Sequence, residues 1–192
     1  GEWYGVFLVG RPLTTRGRCI TGRETAIQKF TWNEGEWVTL AQDGNEPQVE
    51  VDAPQLPAYS FEPEPVREDF DTDILNIHFQ SLRLPITNEW ASLHERPGFL
   101  RLYGRESLAS FHYQSLLARR IQHTHLEAST CIEFTPDHFQ QMAGLVCYYN
   151  TSHYYYLYLS NDASHQKYLN IMACDKFDAD EPLDELVDIS QA

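Results

Sequence analysis

The sequence has no apolar run approaching the ~20 residues that a helix needs to span a bilayer, so we expect no membrane partner. Basic residues are also scarce: 14 Lys and Arg stand against 28 Asp and Glu, and the formal net charge is −14. An acidic surface without clustered bases repels a phosphate polymer, which argues against a nucleic-acid partner. The same charge favours solubility.

Cysteine pairs of the C-x-x-C type are absent, so a zinc site is not predicted. The four cysteines are Cys19, Cys131, Cys147 and Cys174, and three of them lie in apolar runs such as STCIEF and LVCYYN. Free thiols in such runs are usually buried, which indicates a reducing compartment and a cytoplasmic protein, although four cysteines also allow two disulfides. The opening residues GEWYGVFLVG predict a strand instead of a signal peptide, and we expect the chain to be a piece of a longer protein.

Strand and turn patterns fill the first third of the chain. Residues 3–9 are apolar on both faces, which predicts a buried strand. Residues 25–40 predict two strands around a hairpin turn at 33–35. Five prolines in residues 44–65 exclude a regular helix or a central strand, so this stretch is predicted to be a linker or an extended crossing segment.

From about Asp69 onward, short alternating segments are typical of an antiparallel sandwich. A short helix is compatible only with residues 106–120. Val187 and Ile189 are predicted to begin a strand whose partner is missing. The predicted strands are 75–79, 99–104, 126–134, 142–150, 154–160 and 167–175.

Arg23 and Glu24 follow a glycine at the entrance of a predicted strand. One interpretation is a surface ion pair, which would contribute little to stability and is the commoner case. The other is a binding site, because a guanidinium presents a planar fork of donors that suits sugar hydroxyls and carboxylates. Spacing alone favours the ion pair.

Other candidate sites are weaker. His123 and His125 have the spacing of metal ligands, but no third ligand is near them in sequence. The tyrosine-rich residues 148–159 suit either sugar stacking or sandwich packing, and packing is favoured for most of them. A pair of carboxylates acting in acid–base catalysis needs burial or a charged partner to separate the two pKa values. The two acidic runs of this sequence are instead predicted to be solvated. They are Glu68, Asp69, Asp71 and Asp73, and Asp178, Asp180, Glu181, Asp184 and Glu185.

Several long motifs resemble one family. GRPLTTRGRC, GRETAIQKFTW and VDAPQLP resemble the end of the catalytic domain of family 43 glycoside hydrolases of the β-xylosidase type. LNIHFQSLRLPITNEWASLHERPGFLRLYG, FQQMAGLVCYYNTSHYYYLYLS and LNIMACD resemble the start of their C-terminal β-sandwich. The resemblance covers nearly the whole chain.

This resemblance implies an all-β fold in three parts. Residues 1–57 would be the last strands of a five-bladed β-propeller, and 58–65 a linker. Residues 66–192 would be an antiparallel concanavalin A-like β-sandwich. Both the propeller part and the sandwich would be truncated, so we expect the fold to be incomplete at both ends.

The implied activity is inverting removal of terminal β-1,4-xylose from xylo-oligosaccharides, often together with α-L-arabinofuranose removal. Inversion uses an acid and a base roughly 6.5–9.5 Å apart. The family's three catalytic carboxylates would precede Gly1, so no catalytic residue is assigned and the isolated chain is expected to be inactive. Arg23 would contact the bound sugar, with Glu24 and Thr25 supporting it. Thr21 departs from the family, where an apolar residue is common.

The resemblance also bears on partners. It implies no cofactor for this chain, allows a divalent cation such as calcium in the parent propeller, and favours a homo-oligomeric parent enzyme. The alternative from another class is a non-catalytic β-sandwich that binds carbohydrate or mediates oligomerisation.

Overall fold

The computed structural model describes residues 1–42, 44–176, 178–182 and 187–189. Over these residues the secondary structure is β-strand without helix, so the all-β prediction is confirmed and no helix forms at 106–120. Accordingly, the described part of the chain contains no helix able to cross a membrane. The chain divides into two compact units, residues 1–66 with 121–126, and residues 67–120 with those from 127 onward.

The first unit contains an antiparallel sheet in the order β1-β2-β3. Its strands are β1 (Trp3–Val9), β2 (Glu24–Thr31) and β3 (Thr39–Leu40). Strand β1 is confirmed, but its predicted burial is wrong: Val6 and Leu8 are 68% and 71% exposed. A three-stranded sheet gives β1 a hydrogen-bonding neighbour on one side only, and too small a layer to cover two apolar faces.

The connections of this unit are longer than the sequence predicted. The tight turn at 33–35 is part of a loop over 32–38, in which the Glu36 amide donates to the Asn33 carbonyl at 3.2 Å. The described residues of 44–65 form an extended crossing segment without strand or helix. Gln48 ties this segment to the sheet, because its carbonyl accepts the Gln28 amide nitrogen at 2.7 Å and its own N–H donates to Gln28 Oε1 at 3.2 Å.

In its described residues, the second unit contains nine strands. Four short ones pair in two antiparallel ladders, β4 with β7 and β5 with β6. Five form one antiparallel sheet in the order β11-β10-β9-β8, with β12 also pairing β10. Their bounds are β4 (Phe79–Gln80), β5 (Ala91–Ser92), β6 (Arg101–Leu102), β7 (Ala118–Arg119), β8 (Ala143–Asn150), β9 (His153–Asn161), β10 (Lys167–Asp175), β11 (Asp178–Asp180) and β12 (Val187–Asp188).

The large sheet follows the sequence prediction closely. Strands β8, β9 and β10 form where alternation and turn residues predicted them. The prediction that the strand at Val187 lacks a partner is wrong, because Val187 pairs with Leu169 of β10. Strand β11 pairs only with the last three residues of β10. The same edge of β10 therefore remains open along the first half of β10, where β12 pairs with it.

Residues 126–134 alternate as predicted but form no strand in the described structure. Alternation indicates extended backbone, whereas a strand also needs a partner edge. Glu133 is held instead by Arg96, whose Nη2 lies 3.0 Å from Glu133 Oε1. His123 and His125 likewise lie in irregular, exposed chain and not on a strand face.

The core of the second unit combines aromatic and polar side chains. Trp90 is 2% exposed, donates from Nε1 to the Pro85 carbonyl at 3.2 Å, and packs under the Arg105 guanidinium. Tyr154 and Tyr158 are buried, as the packing interpretation of the tyrosine cluster predicted. Ser160 Oγ lies 3.0 Å from the carbonyls of both Phe139 and Gln141, whereas the side-chain amide of the buried Gln114 has no hydrogen-bond partner among the described residues.

The cysteine prediction is only partly correct. All four thiols are free, and Cys174 is buried. Cys131 and Cys147 are exposed. Cys147 pairs with the exposed Tyr155 on the outward face of the β8–β9 ladder, so an apolar neighbourhood in sequence does not place it inside.

Candidate functional site

The candidate site lies in the first unit, where the loop over residues 10–23 joins β1 to β2. The loop is shaped by two hydrogen-bonded turns, one from the Gly17 amide to the Thr14 carbonyl at 3.0 Å and one from Gly22 to Cys19 at 3.1 Å. Gly22 has a φ of 76°, in the left-handed region that glycine adopts without strain. This turn delivers Arg23 to the start of β2.

The loop and the end of β1 surround a hollow of about 450 Å³. That volume falls in the range of small-molecule sites. Its lining combines apolar strand residues, loop backbone and one cation: Leu8, Val9, Gly10, Gly17, Cys19, Gly22 and Arg23. A Cβ atom added to Gly10 would lie 2.7 Å from Cys19 Sγ, so glycine is what lets the strand end approach the loop.

Glu24 forms an ion pair, but with Arg11 and not with its neighbour Arg23. Arg11 Nε lies 2.6 Å from Glu24 Oε2, and Arg11 Nη2 lies 2.6 Å from Glu24 Oε1. The hydrogen bonds from Arg11 lower the pKa of Glu24, and the same contact raises the pKa of Arg11. Glu24 therefore stays ionised, and its charge is offset by Arg11.

This arrangement leaves the Arg23 guanidinium available. Arg23 is exposed and lines the hollow, and within the described residues no hydrogen bond or ion pair engages its side chain. Thr25 pairs with Leu8 across the ladder and is also exposed, but it does not line the hollow. The structure thus places Arg23 at the hollow, whereas Glu24 is bound to Arg11 and, like Thr25, does not line the hollow. Their roles in sugar binding stay predictions.

Arg11 is the residue that the sequence reasoning missed. Val9 and Glu24 are directly opposite each other in the β1–β2 ladder, and Arg11 follows Val9 by two residues. A predicted hairpin register, applied across the intervening loop, would have placed Arg11 near Glu24.

The acidic runs are mostly solvated, as predicted. Asp71 is exposed, and Asp69 forms an exposed pair with Arg67 at 2.6 Å. Glu181 is exposed as well, and its carboxylate in addition accepts the Tyr158 hydroxyl at 2.5 Å and the Asn170 amide at 3.1 Å. Burial first, and then this hydrogen bond, raises the pKa of Tyr158. Asp184 and Glu185 lie outside the described residues.

Among the residues that the structure describes, no group of three or more His, Cys, Asp or Glu side chains is placed to hold a metal ion. The described residues therefore do not by themselves provide the ligands of a metal centre.

Comparison with known proteins identifies the class. Residues 67–191 match the family model described as the β-xylosidase C-terminal concanavalin A-like domain. Together with the helix-free sheets, this match defines an all-β protein with a concanavalin A-like domain.

The chain belongs to the family of β-xylosidase C-terminal concanavalin A-like domains of glycoside hydrolase family 43. It is 44% identical to a β-xylosidase of Bacillus subtilis over 97% of this chain and 36% of that protein. It is 39% identical to a xylosidase/arabinosidase of Humicola insolens over 97% of this chain and 34% of that protein. The crystal structure of a xylan β-1,4-xylosidase from Bacillus halodurans superposes with a TM-score of 0.90 at 43% identity, over 98% of this chain and 36% of that one.

The family resemblance and the all-β class predicted from the sequence are confirmed by these matches. The chain spans just over a third of the length of these relatives.

Proposed function

We propose that this chain is part of an inverting exo-glycosidase that removes terminal β-1,4-linked xylose from xylo-oligosaccharides. The observation that carries the proposal is the family membership together with a hollow lined by the Arg23 guanidinium, which has no side-chain partner within the described residues. A secondary activity on α-L-arabinofuranose is supported by the name of the Humicola insolens relative.

In this proposal the chain supplies substrate binding and not proton transfer. Arg23 donates hydrogen bonds to sugar hydroxyls from a permanently charged, planar group. Its charge also lowers the pKa of any carboxylate that approaches the same sugar, which keeps that carboxylate ionised. Leu8 and Val9 present apolar surface to the carbon-bound hydrogens of the ring.

The acid and the base come, in this proposal, from the part of the enzyme that the relatives possess beyond the stretch matched here. An inverting enzyme holds the two carboxyls roughly 6.5–9.5 Å apart, so that water fits between the base and the sugar. We also expect a homo-oligomeric enzyme, which sedimentation tests, and any need for a divalent cation such as calcium is tested by treatment with a chelator.

The test uses the whole enzyme and the 192-residue chain side by side. The whole enzyme should release nitrophenol from 4-nitrophenyl β-D-xylopyranoside, and NMR should show α-xylose as the first product. The 192-residue chain should not exceed a heat-killed control. Absence of hydrolysis by the whole enzyme would contradict the activity, and turnover by the isolated chain would contradict the location of the carboxylates.

A carbohydrate-binding role for the sandwich is the alternative, favoured by one observation. Tyr149 on β8 and Tyr155 on β9 are 78% and 64% exposed, and exposed tyrosine rings stack on sugars. Calorimetry of the 192-residue chain with xylohexaose distinguishes the two sites. Saturable binding that Tyr155→Ala abolishes and Arg23→Ala leaves intact would favour this alternative.

A further inference from the structure

The base of the β1–β2 loop is closed by the ion pair between Arg11 and Glu24. Both contacts of the pair are 2.6 Å long and come from two nitrogens of one guanidinium to two oxygens of one carboxylate. Such a bidentate pair restrains orientation as well as distance. Thr21 adds a longer contact from Oγ1 to Glu24 Oε2 at 3.5 Å.

This pair bears directly on Arg23, the neighbour of Glu24 in the chain. Successive side chains point to opposite sides of an extended strand. A restraint on the Glu24 side chain at the start of β2 therefore also restrains the direction in which Arg23 leaves the backbone. Gly22, which precedes Arg23, has a left-handed conformation and no side chain, so it makes no side-chain contact that could hold Arg23 in place.

We propose that Arg11 is a positioning residue for the sugar site: through Glu24 it holds the Arg23 guanidinium toward the hollow. This inference rests on the proposed function for its effect on catalysis. Arg11 itself does not line the hollow, so it acts through Glu24 and not on the substrate.

The solvent exposure of the pair separates positioning from stability. The Arg11 side chain is 70% exposed and the Glu24 side chain 28%, and an ion pair with one partner so open to solvent contributes little to folding. Removing Arg11 should therefore change the sugar site while the melting temperature stays within about 2 °C of that of the wild type. Arg16 offers a matched control, since it lies in the same loop, is exposed, and does not line the hollow.

The experiment is a double-mutant cycle in the whole enzyme. Arg11→Ala should lower kcat/KM for the nitrophenyl xyloside about tenfold, because small misplacements of a binding group are costly, whereas Arg16→Ala should change it less than about twofold. In an Arg23→Ala background, Arg11→Ala should have almost no further effect, since its only route to the sugar is gone. Arg11→Lys, which keeps the charge without the bidentate geometry, should give an intermediate value.

A second readout does not depend on activity. In the isotopically labelled 192-residue chain, the Arg23 Nε–H signal should show restricted motion by NMR relaxation, and Arg11→Ala should make it mobile. If the whole enzyme failed to hydrolyse any xyloside, the proposed function would fall, and this readout would still decide the positioning. Unchanged motion of Arg23, or losses from Arg11→Ala and Arg23→Ala that simply add, would overturn the inference.

Discussion

Gly22→Ala is the substitution whose consequence follows most directly from the backbone next to the site. Gly22 has a φ of 76°, and a Cβ atom there would meet nothing within 4 Å. The effect is therefore strain without collision. A left-handed conformation costs an alanine about 1–2 kcal/mol, offset by about 0.4–1 kcal/mol from the reduced freedom of the unfolded chain. We expect a net loss of about 1 kcal/mol together with a displaced Arg23, because the turn that delivers Arg23 shifts to relieve the strain.

Gly35→Ala is the matched control for this prediction. Gly35 has a φ of 78° and equally open surroundings, but it lies in the β2–β3 connection, away from the hollow. Urea unfolding of the 192-residue chain should show similar losses of stability for both variants. Activity of the whole enzyme should fall about tenfold for Gly22→Ala and stay nearly unchanged for Gly35→Ala. Full activity of Gly22→Ala, or equal activity losses in both variants, would refute the reasoning.

The remaining predictions concern the second unit. Trp90→Ala should cost about 3–5 kcal/mol in urea unfolding, because a ring that is 2% exposed is replaced by a cavity; a loss below about 1 kcal/mol would contradict its core role. Tyr158→Phe should lower the free energy of unfolding by about 1–3 kcal/mol, because it removes the hydroxyl that donates a hydrogen bond to Glu181. Tyr155→Phe, on the exposed face, should lower it by almost nothing. Equal losses in the two variants would contradict the contribution of the Tyr158–Glu181 hydrogen bond. Burial raises the pKa of Tyr154 and of Tyr156 to about 12, so the stability that their neutral forms contribute is complete below pH ~10 and is lost as the pH rises toward 12. Absorbance titration of tyrosinate should show late-ionising groups, and ionisation of all tyrosines near pH ~10 would contradict this.

Local pattern was sufficient where a strand has its partner nearby in sequence. Strands β8, β9 and β10 follow one another as hairpins, and each carries its own alternation and turn residues. The stretch 126–134 has an equally clear pattern but forms no ladder in the described structure, since pairing depends on a distant edge that alternation does not specify.

Burial and side-chain pairing were predicted less well, because both depend on register and layer arrangement. The apolar faces of β1 indicated a buried strand, yet in its own unit they are largely exposed. Glu181 was grouped with solvated acids, and its contact with Tyr158 requires knowing that β11 lies beside β10.

The candidate site was also only partly predictable from the sequence. Arg23 was selected through family resemblance, because spacing alone favoured an ion pair with Glu24. The hollow and the Arg11–Glu24 pair arise from a loop whose two turns depend on left-handed glycines, and no periodicity in the sequence indicates them.

The most direct measurement is kcat/KM of the whole enzyme carrying Arg23→Ala, with 4-nitrophenyl β-D-xylopyranoside as the substrate. If the guanidinium at this hollow binds the sugar, kcat/KM should fall by about 10²–10³, because one charged contact to the sugar is lost. A decrease of less than about threefold, in an enzyme that remains folded, would remove Arg23 from the sugar site.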